Sequence, residues 1–181
     1  VAVDKISRTD LGCTHATPPA LFALANSNAI ALWGRGFQLD AFADLHNVVP
    51  PDCGTKLPFF SLHLGPHTSG VDALLQDWRH LVVWANAPFA IIGRVLALMQ
   101  SQSAAGVMVV PVGVKAPWAR QIRPGAGGVR AFVTFNPNAE EFRMRGGRPA
   151  STPFRGLYAL AFLDFRSSDL DVWRDSPSAE A

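Results

Sequence analysis

Residues 81–114 decide the fold class, and they read LVVWANAPFAIIGRVLALMQSQSAAGVMVVPVGV. Residues 81–84 form a continuous apolar run, as expected for a strand that is buried on both faces. Apolar side chains then recur at helical spacing over residues 91–101, and the valine-rich residues 106–114 indicate a second buried strand. A strand, a helix and a strand within about thirty residues form a βαβ unit, which predicts a parallel sheet.

The flanking segments add one helix and one short strand on the N-terminal side. The sequence Thr17-Pro18-Pro19 predicts a helix start, with threonine as the cap and proline in the first turn. The helix is expected over residues 20–28, and a short strand carrying Asp40 over residues 37–42. Residues 46–70 are rich in proline and glycine and predict a long loop. The apolar face of the helix is predicted to hold Leu21, Leu24 and Ala25.

The C-terminal third predicts an antiparallel extension of the sheet. Residues 129–135 and 157–165 are expected to form two strands on one side of it, with a shorter strand over residues 142–145 between them in sequence. We therefore expect one α/β domain over residues 1–166, with a mostly parallel sheet and an antiparallel C-terminal hairpin. Residues 167–181 are expected to form a polar tail.

Composition excludes several classes of protein. The chain has 181 residues, of which 49% are hydrophobic and only 17% charged, so a disordered chain is excluded. The longest apolar stretch contains Asn86, Pro88, Gly93 and Arg94, which argues against a membrane span and a membrane partner. No secretory signal opens the chain, and its two cysteines form no CxxC motif. An intracellular location, in cytoplasm or nucleus, is therefore expected, and the initial Val1 suggests a segment of a larger protein.

The net charge of +2 is unevenly distributed along the chain. Residues 36–78 contain five acidic side chains and one basic side chain, whereas residues 115–155 contain eight basic and two acidic ones. A basic C-terminal third is typical of domains that bind nucleic acid. The predicted contacts to nucleic acid are Arg143, Arg145 and Arg148. The alternative is that the arginines only reflect a compositional bias, since the chain has thirteen arginines against three lysines.

Four short motifs follow one another along the chain. They are Thr17-Pro18-Pro19-x-Leu21-Phe22, Leu39-Asp40-Ala41-Phe42-Ala43-Asp44-x-x-Asn47, Asp72-Ala73-Leu74-x-Gln76-Asp77-Trp78 and Trp84-Ala85-Asn86-Ala87-Pro88-Phe89. In this order they resemble the phage-type Dam N6-adenine DNA methyltransferases. The chain is also similar to the methyltransferase-like domain in polyproteins of tyrosine-recombinase retroelements. The resemblance covers roughly residues 10–165 and implies a Rossmann-like methyltransferase sheet, S-adenosylmethionine as cofactor and DNA as substrate.

The resemblance assigns the chemistry on the adenine to the tetrapeptide Asn86-Ala87-Pro88-Phe89. Methylation of an exocyclic amine requires the base to leave the stack and enter a pocket. The side-chain oxygen of Asn86 would accept one hydrogen of that amine, and the carbonyl of Ala87 would accept the other. Phe89 would stack on the adenine ring, an interaction of about 1–3 kcal/mol per base.

On the cofactor side, the resemblance implies that Asp40, Phe42 and Ala43 line the donor site and that Asp72 binds the adenine moiety of S-adenosylmethionine. The chain departs from the family pattern at two points. Ala87 replaces the first proline of the tetrapeptide, and no glycine-rich loop follows Asp40. An alternative function is therefore a catalytically inactive module that binds nucleic acid or neighbouring polyprotein domains.

Simpler interpretations of the same residues exist. Asn-x-Pro after a strand is common as a plain turn. His63 and His67, with His46, Cys53 and Cys13, could suggest a metal site, but Gly65-Pro66 between the first two excludes a helix that presents both on one face, and we predict no metal. The carboxylates Asp40, Asp72 and Asp77 could imitate the acidic cluster of a ribonuclease H, in which the tetrapeptide would have no role.

Overall fold

The computed structural model describes residues 15–45, 47–49, 56–135, 143–144 and 157–166. These residues form two α-helices, α1 (Pro19–Trp33) and α2 (Ile92–Ser101). The strands are β1 (His15–Ala16), β2 (Leu39–Asp40), β3 (Phe60–Ser61), β4 (Gly70–Val71), β5 (Val82–Ala85), β6 (Ala105–Pro111), β7 (Val129–Phe135), β8 (Arg143–Met144) and β9 (Tyr158–Asp164). Three 3-10 helices occupy Ala73–Leu75, Phe89–Ile91 and Pro117–Arg120.

The main sheet has five strands in the order β2-β5-β6-β9-β7. Strand β5 pairs in parallel with β2 on one side and with β6 on the other. Strand β9 is antiparallel to both β6 and β7, so four strands run in one direction and β9 in the other. The structure is thus α/β with a mostly parallel mixed sheet, and the predicted βαβ unit is confirmed.

A second, smaller pair of strands continues this sheet at the β2 edge. Strands β3 and β4 are parallel, and a parallel bridge between Asp40 and Phe59 joins them to β2. The backbone N–H of Asp40 donates to the carbonyl of Pro58 at 2.9 Å. The parallel strands are therefore arranged β4-β3-β2-β5-β6. From β2 the chain continues to β3 and β4 on one side, and from β5 it continues to β6 on the other side. The strand order therefore reverses between β2 and β5.

The two helices cover opposite faces of the sheet. Strand β5 is buried on both faces, and it alternates Val82 and Trp84 toward one apolar cluster with Val83 and Ala85 toward the other. Helix α1 packs on the first cluster, where the rings of Phe22 and Trp84 meet edge to face with centroids 5.6 Å apart. Helix α2 packs on the second cluster through its apolar stripe, which is Ile92, Val95, Leu96 and Met99.

Helix α1 differs from its prediction at both ends and on its buried face. It starts at Pro19, with Pro18 rather than Thr17 at the cap position, and it runs to Trp33, where Gly34 with φ of 72° ends it. The predicted face is wrong at Leu24, which is 48% exposed. The buried residues are Phe22, Ala25 and Ala29, because two alanines let the helix approach the sheet closely around one large ring.

The C-terminal strands confirm the predicted antiparallel pair, with one correction. The sequence predicts no order for these two strands, and in the structure β9 is inserted between β6 and β7. Strand β8 does not join the sheet, because it pairs with β1. Within the predicted loop 46–70, the two-residue strand β3 and the start of β4 are additional regular elements. The predicted tail, residues 167–181, lies outside the described residues. Neither described helix has the length and apolarity needed to cross a membrane.

Candidate functional site

Three of the predicted site positions fall at the carboxyl ends of parallel strands. Asp40 is the last residue of β2, Asp72 follows β4, and Asn86 follows β5. Because the strands are parallel, these ends lie on the same edge of the sheet, which we call the carboxyl edge. In open α/β sheets, ligands bind outside this edge at the point where the strand order reverses. That point lies between β2 and β5, and therefore between Asp40 and Asn86.

The residues that follow β5 leave polar atoms unused at this point. Asn86 is half-buried, and its side chain takes part in none of the hydrogen bonds within the described part of the chain. Ala87 is 1% exposed and belongs to the core cluster on the α2 side. The carbonyl of Pro88 accepts the N–H of Ile91 at 3.0 Å, which starts the short helix Phe89–Ile91. The amide of Asn86 is thus held on a rigid strand end with its hydrogen-bonding capacity free for a ligand.

A row of aromatic rings extends along the same edge from Phe89. The Phe89 ring is 38% exposed and lies 5.7 Å from the ring of Tyr158, centroid to centroid. Tyr158, whose pKa is raised by burial, lies in turn 6.2 Å from Phe135. Tyr158 begins the reversed strand β9 and Phe135 ends β7, so both reach the carboxyl edge. Sequence analysis missed these two residues, because only the insertion of β9 brings them next to Phe89.

Asp40 is a buried carboxylate that organises the loop after β2. The residue is 2% exposed, and its two oxygens accept the backbone N–H groups of Phe42 at 3.3 Å and Val49 at 3.1 Å. Desolvation by burial raises the pKa of Asp40 to about 7, although these hydrogen bonds act in the opposite direction. Among the described residues, no cation forms an ion pair with it. The structure shows Asp40 holding the backbone of Phe42 and Val49, and a direct contact to a cofactor stays a prediction.

The loop after β2 contains no glycine, and its side chains pack against the rest of the protein. The half-buried ring of Phe42 meets Trp78 edge to face with centroids 5.9 Å apart. The methyl groups of Ala41 and Ala43 are buried, the first in the large core cluster and the second against Val48. The N–H of Ala43 donates to the carbonyl of Phe60 at 3.0 Å, which fixes the loop to β3. The alanine side chains of this loop therefore point into protein packing.

Asp72 stands in an unusual backbone conformation at the end of β4. Its φ is 55°, a value that costs conformational energy for a residue other than glycine and that is enriched at functional sites. One carboxylate oxygen accepts the N–H of Leu74 at 3.1 Å and caps the short helix Ala73–Leu75. The other oxygen has no partner among the described residues, and the side chain is half-buried. Asp72 can therefore accept a hydrogen bond from a ligand without giving up its cap.

The predicted nucleic-acid contacts are not located by the structure. Arg145 and Arg148 lie outside the described residues, and of Arg143 only the backbone, in β8, is described. Trp118, which stands among basic residues in the sequence, is partly buried and packs against the core cluster beside α2.

The competing interpretations find little support in the geometry. Within the described ranges, no group of three or more histidine, cysteine, aspartate and glutamate side chains could hold a metal ion. Cys13, His46 and Cys53 lie outside those ranges. Asp77 is exposed and forms a short ion pair with Arg79, and β3 separates the strand of Asp40 from that of Asp72. Three converging carboxylates, as a nuclease needs, are not formed by these residues.

Comparisons of the sequence with protein families, with curated proteins and with solved structures give no match. The function is therefore argued from the residues at the carboxyl edge and from the motif order of this chain.

Proposed function

We propose that the chain is an S-adenosylmethionine-dependent adenine-N6 DNA methyltransferase-like domain with a Rossmann-like sheet. The observation that carries the proposal is the position of the four motif residues Asp40, Phe42, Asp72 and Asn86 at one edge of the sheet. In chain order the parallel strands are arranged third, second, first, fourth and fifth, which is the doubly wound order with its binding crevice between the first and the fourth. Asp40 and Asn86 flank the point at which the strand order reverses, and Asp72 follows the outer strand β4 on the same edge, which supports the proposal.

The residues after β5 suit the recognition of an exocyclic amine. Such an amine carries two hydrogens, and the side-chain oxygen of Asn86 is an acceptor for one of them. The carbonyl of Ala87 would accept the other once the entering base uncovers this residue, which is 1% exposed. When both hydrogens are bound in this way, the nitrogen lone pair points away from the acceptors and toward the crevice. The exposed face of Phe89 offers a stacking surface for the ring of the base. Because these groups stand on a buried strand end, the geometry is preorganised for transfer.

The opposite wall of the crevice fits a nucleoside-like cofactor. S-adenosylmethionine would supply an electrophilic methyl group. The unpartnered oxygen of Asp72 is a suitable acceptor for an adenine amine or a ribose hydroxyl. Asp40 positions residues 41–49 through its two backbone hydrogen bonds, and Phe42 and Ala43 belong to that loop. The chain's own groups would thus hold the cofactor on the β2–β4 side and the base on the β5 side.

A second candidate is a catalytically inactive module of the same fold that binds nucleic acid or neighbouring domains of a retroelement polyprotein. Two features favour it. Ala87 lacks the restricted φ that proline would give, and the loop after β2 has no glycine to bring its backbone close to a cofactor. Failure to bind S-adenosylmethionine, together with retained binding to DNA, would support this second candidate. A reverse transcriptase encoded upstream and a recombinase encoded downstream would support the polyprotein origin.

Methyl transfer from labelled S-adenosylmethionine to adenine in DNA tests the first proposal. Replacing Asn86 with alanine removes the acceptor, and we expect a loss of about 100-fold to 1000-fold in transfer with nearly unchanged cofactor affinity. Asn86→Asp keeps an acceptor at the same position and should retain more activity than Asn86→Ala. Equal activity of the wild-type protein and Asn86→Ala would show that the site is wrongly assigned.

A further inference from the structure

A basic pocket lies in the segment that follows β6, beside α2. The chain leaves β6 at Pro111, and residues 114–123, which include the short helix Pro117–Arg120, border a cavity of about 660 Å³. Three side chains that line this cavity are cationic, namely Lys115, Arg120 and Arg123. The sequence motifs do not include these three residues, which are separated by three to five positions. The turn of the short helix brings them to the same cavity.

No described residue pairs with the side chains of these three cations. Among the described residues, no ion pair or hydrogen bond involves their side chains, and all three are exposed. Residues 112–135 contain no acidic side chain that could neutralise them. Arg79 and Arg166 differ, because each forms an ion pair with an aspartate at short range. The pocket is therefore a concentration of positive charge that is available to an anion from outside.

The segment that lines the pocket runs along α2 from its first turn to its last. Trp118 packs against the first turn, where a Cβ atom on Gly93 would be 3.6 Å from its Cδ1. At the last turn, Nε2 of Gln100 donates to Oε1 of Gln121 at 3.4 Å. Because α2 starts directly after the short helix that contains Phe89, a nucleic-acid strand that passes from Phe89 along α2 would lie beside these cations.

We propose that Lys115, Arg120 and Arg123 bind the phosphate backbone of the DNA strand whose adenine enters the crevice at Asn86. This inference rests on the proposed function, because it takes the base at Asn86 as its starting point. Guanidinium groups bind phosphate oxygens with two parallel hydrogen bonds, and arginine and lysine release counterions when they neutralise a nucleic-acid backbone. The pocket would fix the strand, while Asn86 and Phe89 select the base.

The surroundings favour a nucleic-acid backbone over a small anion as the occupant. The cavity is wide, and its cations are exposed at the rim, whereas a site for a free anion encloses its ligand with buried donors. The row of rings Phe89, Tyr158 and Phe135 lies at the carboxyl edge, where α2 begins. Cations that follow a backbone beside aromatic rings that stack on bases are the combination by which proteins hold a single strand.

Binding of a fluorescein-labelled single-stranded DNA of about 12 nucleotides, followed by anisotropy between about 50 and 200 mM KCl, tests the proposal. The test variant is Arg120→Ala/Arg123→Ala. The matched control is Arg79→Ala/Arg130→Ala, which removes the same charge at the amino ends of β5 and β7, where each arginine is paired with an aspartate. We expect the test variant to bind roughly 10-fold to 100-fold more weakly at low salt. Its plot of log K against log [KCl] should be less steep by about 1.4, since each phosphate contact to a single strand contributes about 0.7.

The control variant should retain the slope of the wild-type protein. Equal losses in both variants, an unchanged slope in the test variant, or no binding of the wild-type protein would each overturn the proposal. Competition by inorganic phosphate at constant ionic strength would also overturn it, because the pocket would then be a small-anion site. Methyl transfer by the wild-type protein is measured separately. If the test variant has the less steep salt dependence but the wild-type protein transfers no methyl group, the pocket is supported and the proposed activity is contradicted. If the wild-type protein transfers methyl groups but the test variant keeps the wild-type slope, only the pocket is contradicted.

Discussion

The two edges of the sheet differ in how their polar side chains are hydrogen-bonded. At the amino ends of the parallel strands, Asp164 accepts hydrogen bonds from the guanidinium of Arg166 at 2.8 Å and from the indole of Trp33 at 3.2 Å. At the carboxyl edge, Asp40 is held by backbone N–H groups alone, and Asn86 has no hydrogen bond to its side chain among the described residues. At the amino edge, which we call the saturated edge, other side chains of the protein bind the buried carboxylate. The carboxyl edge leaves hydrogen-bond acceptors for a ligand, and the cations beside α2 are also available.

The pKa shifts of the two buried aspartates follow this difference. At Asp164, burial acts to raise the pKa, but the hydrogen bonds and charge of Arg166 outweigh it, so the pKa is lowered. At Asp40, burial dominates, and the pKa rises to about 7. The carboxylate of Asp164 is in an ion pair, whereas that of Asp40 forms none among the described residues, and the charge of Lys56 lowers its pKa only weakly. The two edges therefore differ in how their buried carboxylates are neutralised.

The largest effect on stability is expected at the saturated edge. Asp164→Ala leaves the guanidinium of Arg166 and the indole N–H of Trp33 without their acceptor, which should lower the free energy of unfolding by about 3–5 kcal/mol at pH 7. Because the folded pKa of Asp164 is lowered, its contribution is present above about pH 4 and is lost as the pH falls further. Urea unfolding at pH 7 and pH 3 measures both effects. A loss below about 1 kcal/mol at pH 7 would contradict the contrast between the edges.

At the carboxyl edge, Asp40 should give the opposite dependence on pH. Its folded pKa of about 7 lies above the ordinary value of 3.8, so the stability that its protonated form contributes is fully present below about pH 4 and is lost as the pH rises through about 7. The loss is on the order of 4 kcal/mol at most. Asp40→Asn cannot titrate, and its free energy of unfolding should be flat between pH 4 and pH 8 apart from what other groups contribute.

Asp77→Asn is the matched control for this measurement. Its carboxylate is exposed and paired with Arg79, and its pKa is lowered to about 2 by that hydrogen bond, so no titration between pH 4 and pH 8 is removed. The wild-type protein and Asp77→Asn should therefore share the same decline in stability with rising pH. If Asp40→Asn declines in parallel with them, Asp40 is ionised in the folded protein and does not carry the dependence.

The smallest effect is expected at Phe89, and it separates binding from folding. Its ring is more than a third exposed, so Phe89→Ala should change the free energy of unfolding by about 1 kcal/mol or less. Loss of a stacking surface should weaken the binding of single-stranded DNA by roughly tenfold. Phe22→Ala, at the buried face of α1, should lower the free energy of unfolding more strongly and leave the binding of single-stranded DNA unchanged. A variant at Phe89 that unfolds but binds DNA normally would place the ring in the core rather than in the site.

The sequence predicts the central βαβ unit because apolar runs of different period are local signals. The bounds of β5 and α2 agree with the prediction within one residue, whereas β6 ends three residues earlier than predicted, at Pro111. The positions of Asp40 and Asn86 at strand ends are predictable for the same reason. Neighbour order in a sheet is not local. The insertion of β9, and with it the contact of Phe89 with Tyr158, depends on pairing over long distances in sequence. Strands β3 and β4 are too short to leave a periodic signal.

Titration calorimetry with S-adenosylmethionine tests the central claim most directly, because it asks whether the carboxyl edge holds the cofactor. We predict binding of one molecule per chain at concentrations well below about 1 mM. The affinity should fall by about tenfold in Asp72→Gly, which tolerates the positive φ but lacks the carboxylate, and it should be nearly unchanged in Asn86→Ala. No measurable heat at millimolar S-adenosylmethionine would contradict the account.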